Sequence, residues 1–251
     1  MRRLRTRAGM TQTQLAAAAL SSKSTISNVE NGITTVKLDL ITRVDQALEA
    51  DGWLIEIWSL SSSGSFSSAA IAEAEKKAKC ICDWEFRNVP GLLQTLDYMR
   101  AFMRAGRATP EQIDKESGIR LNRQQVAFSP TLDSAWFVID ESVFYRPYGG
   151  REAMREQLIR LEQATELPNV FIQIMPYGAT NHPGGEGPLR VIEYSDKPAI
   201  WYTEGWYSGR LTDDKDEVSA AVTNFNIIRA SAMPPGESAS FVATVRGSRY
   251  E

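Results

Sequence analysis

The tract TQTQLAAAALSSKSTISNVENG, residues 11–32, restricts this chain more than any other stretch. A polar Thr-Gln pair runs into Leu15 and four alanines, the pattern breaks at Leu20-Ser21-Ser22, and helical spacing resumes as far as Asn31-Gly32. Two short helices around a tight turn follow from that spacing. Thr11 is placed to cap the first helix, with Leu15 and Ala16 as its apolar contact and Gln12 exposed in its first turn. Ser21 or Ser22 caps the second, where Ile26 and Val29 stand three apart on one face. Asn31-Gly32 ends it with a residue tolerant of positive φ.

What remains on the second helix is a polar face of Ser22, Lys23, Ser24, Ser27 and Asn28. Short polar side chains and one cation near a capped N-terminus suit a helix that reads the DNA major groove, because its first turns approach base edges while its backbone meets phosphate. Taken alone, such a face equally fits a solvated helical hairpin. Charge helps only locally. The whole chain carries net −3, so no global basic field marks a nucleic-acid binder, yet residues 1–50 hold seven basic against four acidic side chains, a net of +3.

Beyond the motif, Leu38, Ile41, Val44, Ala47 and Leu48 recur at helical spacing and, with Trp53, Leu54 and Trp58, are expected to close a small helical bundle. LSSSGSFSSA, residues 60–69, is the expected linker. The boundaries therefore fall at 1–59, 60–69 and 70–251. No apolar run approaches the ~18 residues of a membrane span. No secretory signal precedes the first helix, and a cytoplasmic location is expected.

In the second part, residues 67–83 read as a helix containing Cys80 and Cys82. These are expected as free thiols, because no second pair or nearby histidine completes a zinc site; no metal or cofactor is expected. Val89-Pro90-Gly91 reads as a turn, followed by an apolar helical face that begins with Leu92, Leu93, Tyr98 and Met99. Thr109-Pro110 starts another helix. AWFVID, VFIQIM, PLRVIEY and AIWYTE have strand character, with the helix GREAMREQLIRLEQAT between the first two and helical tracts over 213–233 and from Pro235. The expected fold is multidomain: an all-α N-terminal bundle plus a mixed α/β (α+β) domain with a sheet of four or five strands.

Candidates for chemistry there are sparse. His182 sits in the glycine-rich loop ATNHPGGEGP, and Asp140, Glu141 and Glu204 lie at strand ends. No G-x-S-x-G, P-loop or G-x-G-x-x-G after a strand accompanies them, so no catalytic residue is assigned and no enzyme is expected. Trp136, Trp201, Tyr202, Trp206 and Tyr207 lie in or beside the strands, as core or as the lining of a ligand or protein groove.

TQTQLA, the apolar Ile26 and Val29, and the Glu30-Asn31-Gly32 ending resemble the helix-turn-helix of the Xre family, the class of the lambdoid phage repressors, over about residues 1–55. The resemblance implies a lambda-repressor-like bundle on double-stranded DNA, with Arg5 of the first helix paired to Glu30. It puts base-reading on Ser22, Lys23, Ser24 and Asn28, Lys23 toward guanine and Asn28 toward adenine. It puts phosphate contacts on Gln12 and Asn31, with Arg2 and Arg3 as a short basic arm. Leu20 departs from the pattern, standing where the family has a glycine between the helices.

VPGLLQT followed by Tyr98, IDES at 139–142, LPNVFIQIMP at 167–176 and ASAMPPGES resemble the C-terminal domain of actinobacterial Xre-type regulators, among them WhiJ-like and antitoxin-like members, over roughly residues 65–247. This implies a transcription factor often paired with a small companion protein encoded nearby. The expectation is a homodimer on an inverted-repeat operator, whose second domain dimerises and answers a partner or ligand. The rival is an antitoxin-like protein that chiefly binds and neutralises the companion and autoregulates its operon.

Overall fold

The computed structural model describes residues 1–34, 36–62, 68–127, 132–204 and 209–251, which form two units, Met1–Ala70 and Ile71–Glu251. In the first, helices α1 (Arg2–Arg7), α2 (Gln12–Ala18), α3 (Lys23–Glu30), α4 (Leu38–Ala47) and α5 (Trp53–Ser62) surround one core. Leu15, Ala16, Ala19, Ile26, Ile41, Val44, Leu48 and Leu54 are buried together in it. Leu38 does not join them: it opens α4 at 50% exposure, and Leu40 packs inward instead.

Local chemistry accounts for the helix ends. Thr11 Oγ1 accepts from Gln14 N at 3.2 Å while Gln14 Oε1 accepts from Thr11 N at 2.8 Å, a reciprocal cap. Ser22 Oγ accepts from Thr25 N at 3.0 Å. Helix α3 stops because Gly32, not Asn31, takes φ +69°. The turn between α2 and α3 requires the same left-handed backbone at Leu20, with φ 51° and 81% of the side chain exposed. The missing glycine is thus replaced by strain, not by another turn geometry. Asp45, buried on α4, accepts from Gly52 N and Leu54 N, each at 2.8 Å, and so ties α4 to the start of α5.

The two ends of the expected linker are helical. Residues 60–62 end α5, 68–69 begin α6 (Ser68–Lys76), and 63–67 lie outside the described residues, as do Trp206 and Tyr207.

The second unit is a mixed sheet flanked by helices. After α6 come β1 (Cys80–Glu85), α7 (Leu96–Ala105), α8 (Pro110–Ala127), β2 (Ser134–Asp140), α9 (Gly150–Thr165), β3 (Val170–Met175), β4 (Leu189–Glu193), β5 (Ile200–Glu204), β6 (Gly209–Thr212), α10 (Lys215–Ser231) and α11 (Pro235–Val245). The sheet order is β3-β2-β1-β4-β5-β6. Strands β1, β2 and β3 are parallel and joined by helical crossovers; β4 pairs antiparallel with β1, β5 with β4 and β6 with β5. Among the described residues the sheet has six strands, where four or five are expected.

The helix expected over 67–83 is corrected: α6 ends at Lys76 and the cysteines lie on β1, a central strand. The apolar helix expected from Leu92 is also later than its pattern implies. Gly91–Leu93 form a 3-10 turn, and α7 begins at Leu96.

One sheet face packs Trp84, Val138 and Met175 against Phe225 and Ile228 of α10. At the β3 edge, Ile174 N donates to Ser238 Oγ at 3.0 Å and Ile174 O accepts from Met233 N at 2.9 Å. The start of α11 therefore covers an edge that would otherwise offer unpaired backbone.

Candidate nucleic-acid interface

Ile26 faces the core at 0% exposure and turns the rest of α3 outward, so that Ser22, Lys23, Ser24 and Asn28 are all exposed. Ser22 also serves as the cap, and its Oγ lies 2.8 Å from both Ser24 Oγ and Thr25 Oγ1. The cap leaves the first amides of α3 beside a cation, Lys23, which is the arrangement an anionic backbone meets favourably.

The far end of α3 is held from beneath. Arg5 Nε donates to Glu30 Oε1 at 2.7 Å, Arg5 Nη2 to Glu30 Oε2 at 3.0 Å, and Arg5 Nη1 to Met10 O at 2.8 Å. The Glu30 side chain is wholly buried and that of Arg5 is 13% exposed. Burial pushes the Glu30 carboxyl up, but hydrogen bonds from Arg5 and Gln12 outweigh it and leave it below the ordinary carboxylate range. The same pair raises Arg5.

Three of the expected phosphate contacts are placed otherwise than expected. Gln12 is half-buried, not exposed, and its Nε2 donates to Glu30 Oε2 at 2.8 Å, because the start of α2 abuts the end of α3. Arg2 and Arg3 form no arm: both are within α1, and Arg2 folds back to donate to Asn31 Oδ1 and Glu30 O. Asn31 stays exposed beside it. Arg2, Gln12, Glu30 and Asn31 thus make one polar cluster at the C-terminal end of α3, opposite the face-reading end.

The candidates of the second unit are structural in their contacts. Glu141 Oε2 accepts from Tyr177 N at 2.9 Å and Asp140 Oδ1 from Ser142 N at 2.9 Å. His182 Nδ1 accepts from Gly184 N at 3.1 Å, which makes Nε2 the donor to Ala179 O at 3.1 Å. Gly184 is where a glycine is required: a Cβ there would stand 2.7 Å from the Trp84 ring, whose Nε1 donates to Gly184 O at 2.9 Å. Among the described residues no group of three or more His, Cys, Asp or Glu is placed to hold a metal.

Cys80 and Cys82 share one face of β1 with their sulfurs 3.8 Å apart. The thiol hydrogen bond from Cys82, helped by Ser134, brings Cys80 down to about 7, while the same bond and burial push Cys82 up. Sequence reading missed a buried ionic cluster of Glu75, Asp83, Arg123 and Arg190. Its only trace in the text is an acid and a base at inward positions of two strands.

A capped helix pair with an outward polar face defines a helix-turn-helix protein. Residues 1–56 match the family model described as Helix-turn-helix domain, which supports a DNA-binding regulator. Residues 68–244 match Domain of unknown function (DUF5753), and the chain belongs to that family. No curated protein and no solved structure matches it. Among the described residues no helix is long and apolar enough to cross a membrane.

Proposed function

We propose that the chain is a sequence-specific transcriptional regulator of Xre type, with a WhiJ-like second domain, that binds an inverted-repeat operator as a homodimer. The observation that carries this is the exposed quartet Ser22, Lys23, Ser24 and Asn28 on a helix whose other face is locked into the core. Two recognition helices about one helical turn (~34 Å) apart would meet adjacent half-sites. Lys23 donates to guanine and Asn28 pairs with adenine; Gln12, Asn31, Arg2 and Arg3 position the domain on phosphate. The second domain holds the dimer, is not an enzyme, and sets affinity in response to a partner or ligand.

The test is genome-wide recovery of DNA bound by the purified chain, with and without cell extract. A sharp inverted repeat supports the reading; no enrichment from a folded protein in either condition overturns it. Lys23→Ala is expected to cost about 1–3 kcal/mol and to relax preference at one position, whereas Gln12→Ala weakens all sites alike. Equal losses on specific and random DNA for both variants would remove Lys23 as a reader.

A further inference from the structure

The sheet face opposite Trp84 carries polar side chains that neither DNA reading nor core packing uses. Asp83 of β1, Arg190 of β4 and Tyr202 of β5 lie in one cross-strand row, because the antiparallel registers set Asp83 against Arg190 and Arg190 against Tyr202. Arg190 donates to Asp83 and, through Nη1 at 2.6 Å, to Glu75 of α6; its guanidinium lies 5.4 Å from the Tyr202 ring centre. Arg123 of α8 grips the same Glu75 through Nε at 2.8 Å and Nη2 at 2.7 Å. All four charged groups are buried. Such clusters are seldom more stable than apolar side chains of equal volume, so stability alone does not explain this one.

Above the row opens a small, solvent-open cleft with a cavity volume of about 100 Å³. Gly91, Phe102, Arg120 and Leu189 contribute to its walls and Glu204 to its lining. The wall at Gly91 belongs to VPGLLQT, the segment that stands out in the sequence of this domain. It is preformed: Gln94 Nε2 donates to Val89 O at 2.6 Å, Gln124 Nε2 to Gln94 O at 2.5 Å, and Gln157 Nε2 to Leu93 O at 2.9 Å.

The charges in this cleft are not all answered. Arg123 and Arg190 are matched by Glu75 and Asp83, and Arg87 by Glu85 at 3.0 Å. Arg120 makes no salt bridge among the described residues; its Nη1 donates to the neutral Gln94 side-chain carbonyl at 3.2 Å. Burial, with Arg123 nearby, holds the Arg120 pKa below its ordinary value. The Nε–H of Arg190 is also buried without an acceptor.

We propose that this cleft binds a small organic oxyanion, its carboxylate or phosphate on Arg120 and its body against Phe102 and Leu189. A planar guanidinium in a partly dry site is the group that recognises such anions best. The proposal deepens the ligand response of the proposed function, but binding is read on this domain without DNA, so either can fail alone.

The test is the Arg120 Nε–Hε signal in nitrogen-15 spectra of the full chain, assigned by its loss in Arg120→Lys. Benzoate, phenyl phosphate and inorganic phosphate are the probes, with neutral benzamide as control. Expected is a saturable shift with benzoate or phenyl phosphate and none with benzamide; whichever binds tighter assigns the anionic group. Arg120→Met, read instead by probe-dependent shifts of the Arg123 and Arg190 signals, whose probe-free positions should be unchanged, should weaken binding at least about tenfold. Phe102→Ala should weaken benzoate and phenyl phosphate but not inorganic phosphate. No saturable shift with any probe, or undiminished binding by Arg120→Met, overturns the proposal.

Discussion

Replacing Arg5 by Met removes the guanidinium while keeping much of the apolar stem. It leaves Glu30, whose side chain is wholly buried, with Gln12 at 2.8 Å and Arg2 at 3.6 Å as its remaining partners. Breaking a buried ion pair from one side costs about 3–5 kcal/mol, because the surviving charge stays desolvated. Partial compensation by Arg2 puts the expected loss at the lower end, about 3 kcal/mol. Native-state hydrogen exchange of the full chain reads it directly: amides of α2 and α3 should exchange about 100-fold faster, while those of the sheet provide an unchanged control.

The companion variants separate the pair from its parts. Arg5→Met with Glu30→Met should be milder than Arg5→Met alone, since no charge is then left unpaired. The sign with pH follows from the lowered Glu30 carboxyl. Its stabilisation is present above the unfolded value of about 4.3 and is lost as pH falls through the lowered folded one, so wild type and Arg5→Met should converge as pH falls through that window. An exchange change of less than about threefold for Arg5→Met would refute the reasoning.

Leu20→Gly should stabilise the first unit by up to about 1 kcal/mol in denaturant unfolding, as strain relief exceeds the added unfolded entropy; a loss would show the left-handed turn carries no strain. Asp45→Ala strips two backbone amides, the Leu54 one buried, of their acceptor and should cost about 2 kcal/mol, seen as faster exchange at the start of α5. Gly184→Ala must displace the buried Trp84 ring and should cost about 1–3 kcal/mol in unfolding followed by near-ultraviolet dichroism; an unchanged midpoint would contradict the close approach. Alkylation of Cys80 by iodoacetamide should rise through pH about 7, with the thiolate lost below it, and Cys82→Ala should move that rise upward. An ordinary thiol profile in both proteins would exclude the sulfur hydrogen bond.

Much of the N-terminal unit was legible because its determinants are local. Thr11, Ser22, Ile26 and Gly32 act within one or two turns of where they stand, and caps and helical period are written at that range. Strands β2 to β5 were legible for a similar reason, as apolar runs of strand length. Strand β1 was not: alanines and lysines carry a helical period up to its first residue, and Asp83 and Glu85 break any apolar run. Strand β6, the four residues GRLT, is too short to announce itself. Gln12 was misplaced as exposed because its partner, Glu30, sits 18 residues away.

By its own text, then, the chain determined a capped helix pair with an outward polar face, joined to a domain of alternating strands and helices. What the tertiary structure alone decided is which charges meet. Arg123 and Arg190 reach Glu75 across 48 and 115 residues, and Arg190 reaches Asp83 across 107. No periodicity spans such distances. Chain crossovers bring these groups to one sheet face, and only there does Arg120 become a half-buried cation with no salt bridge among the described residues.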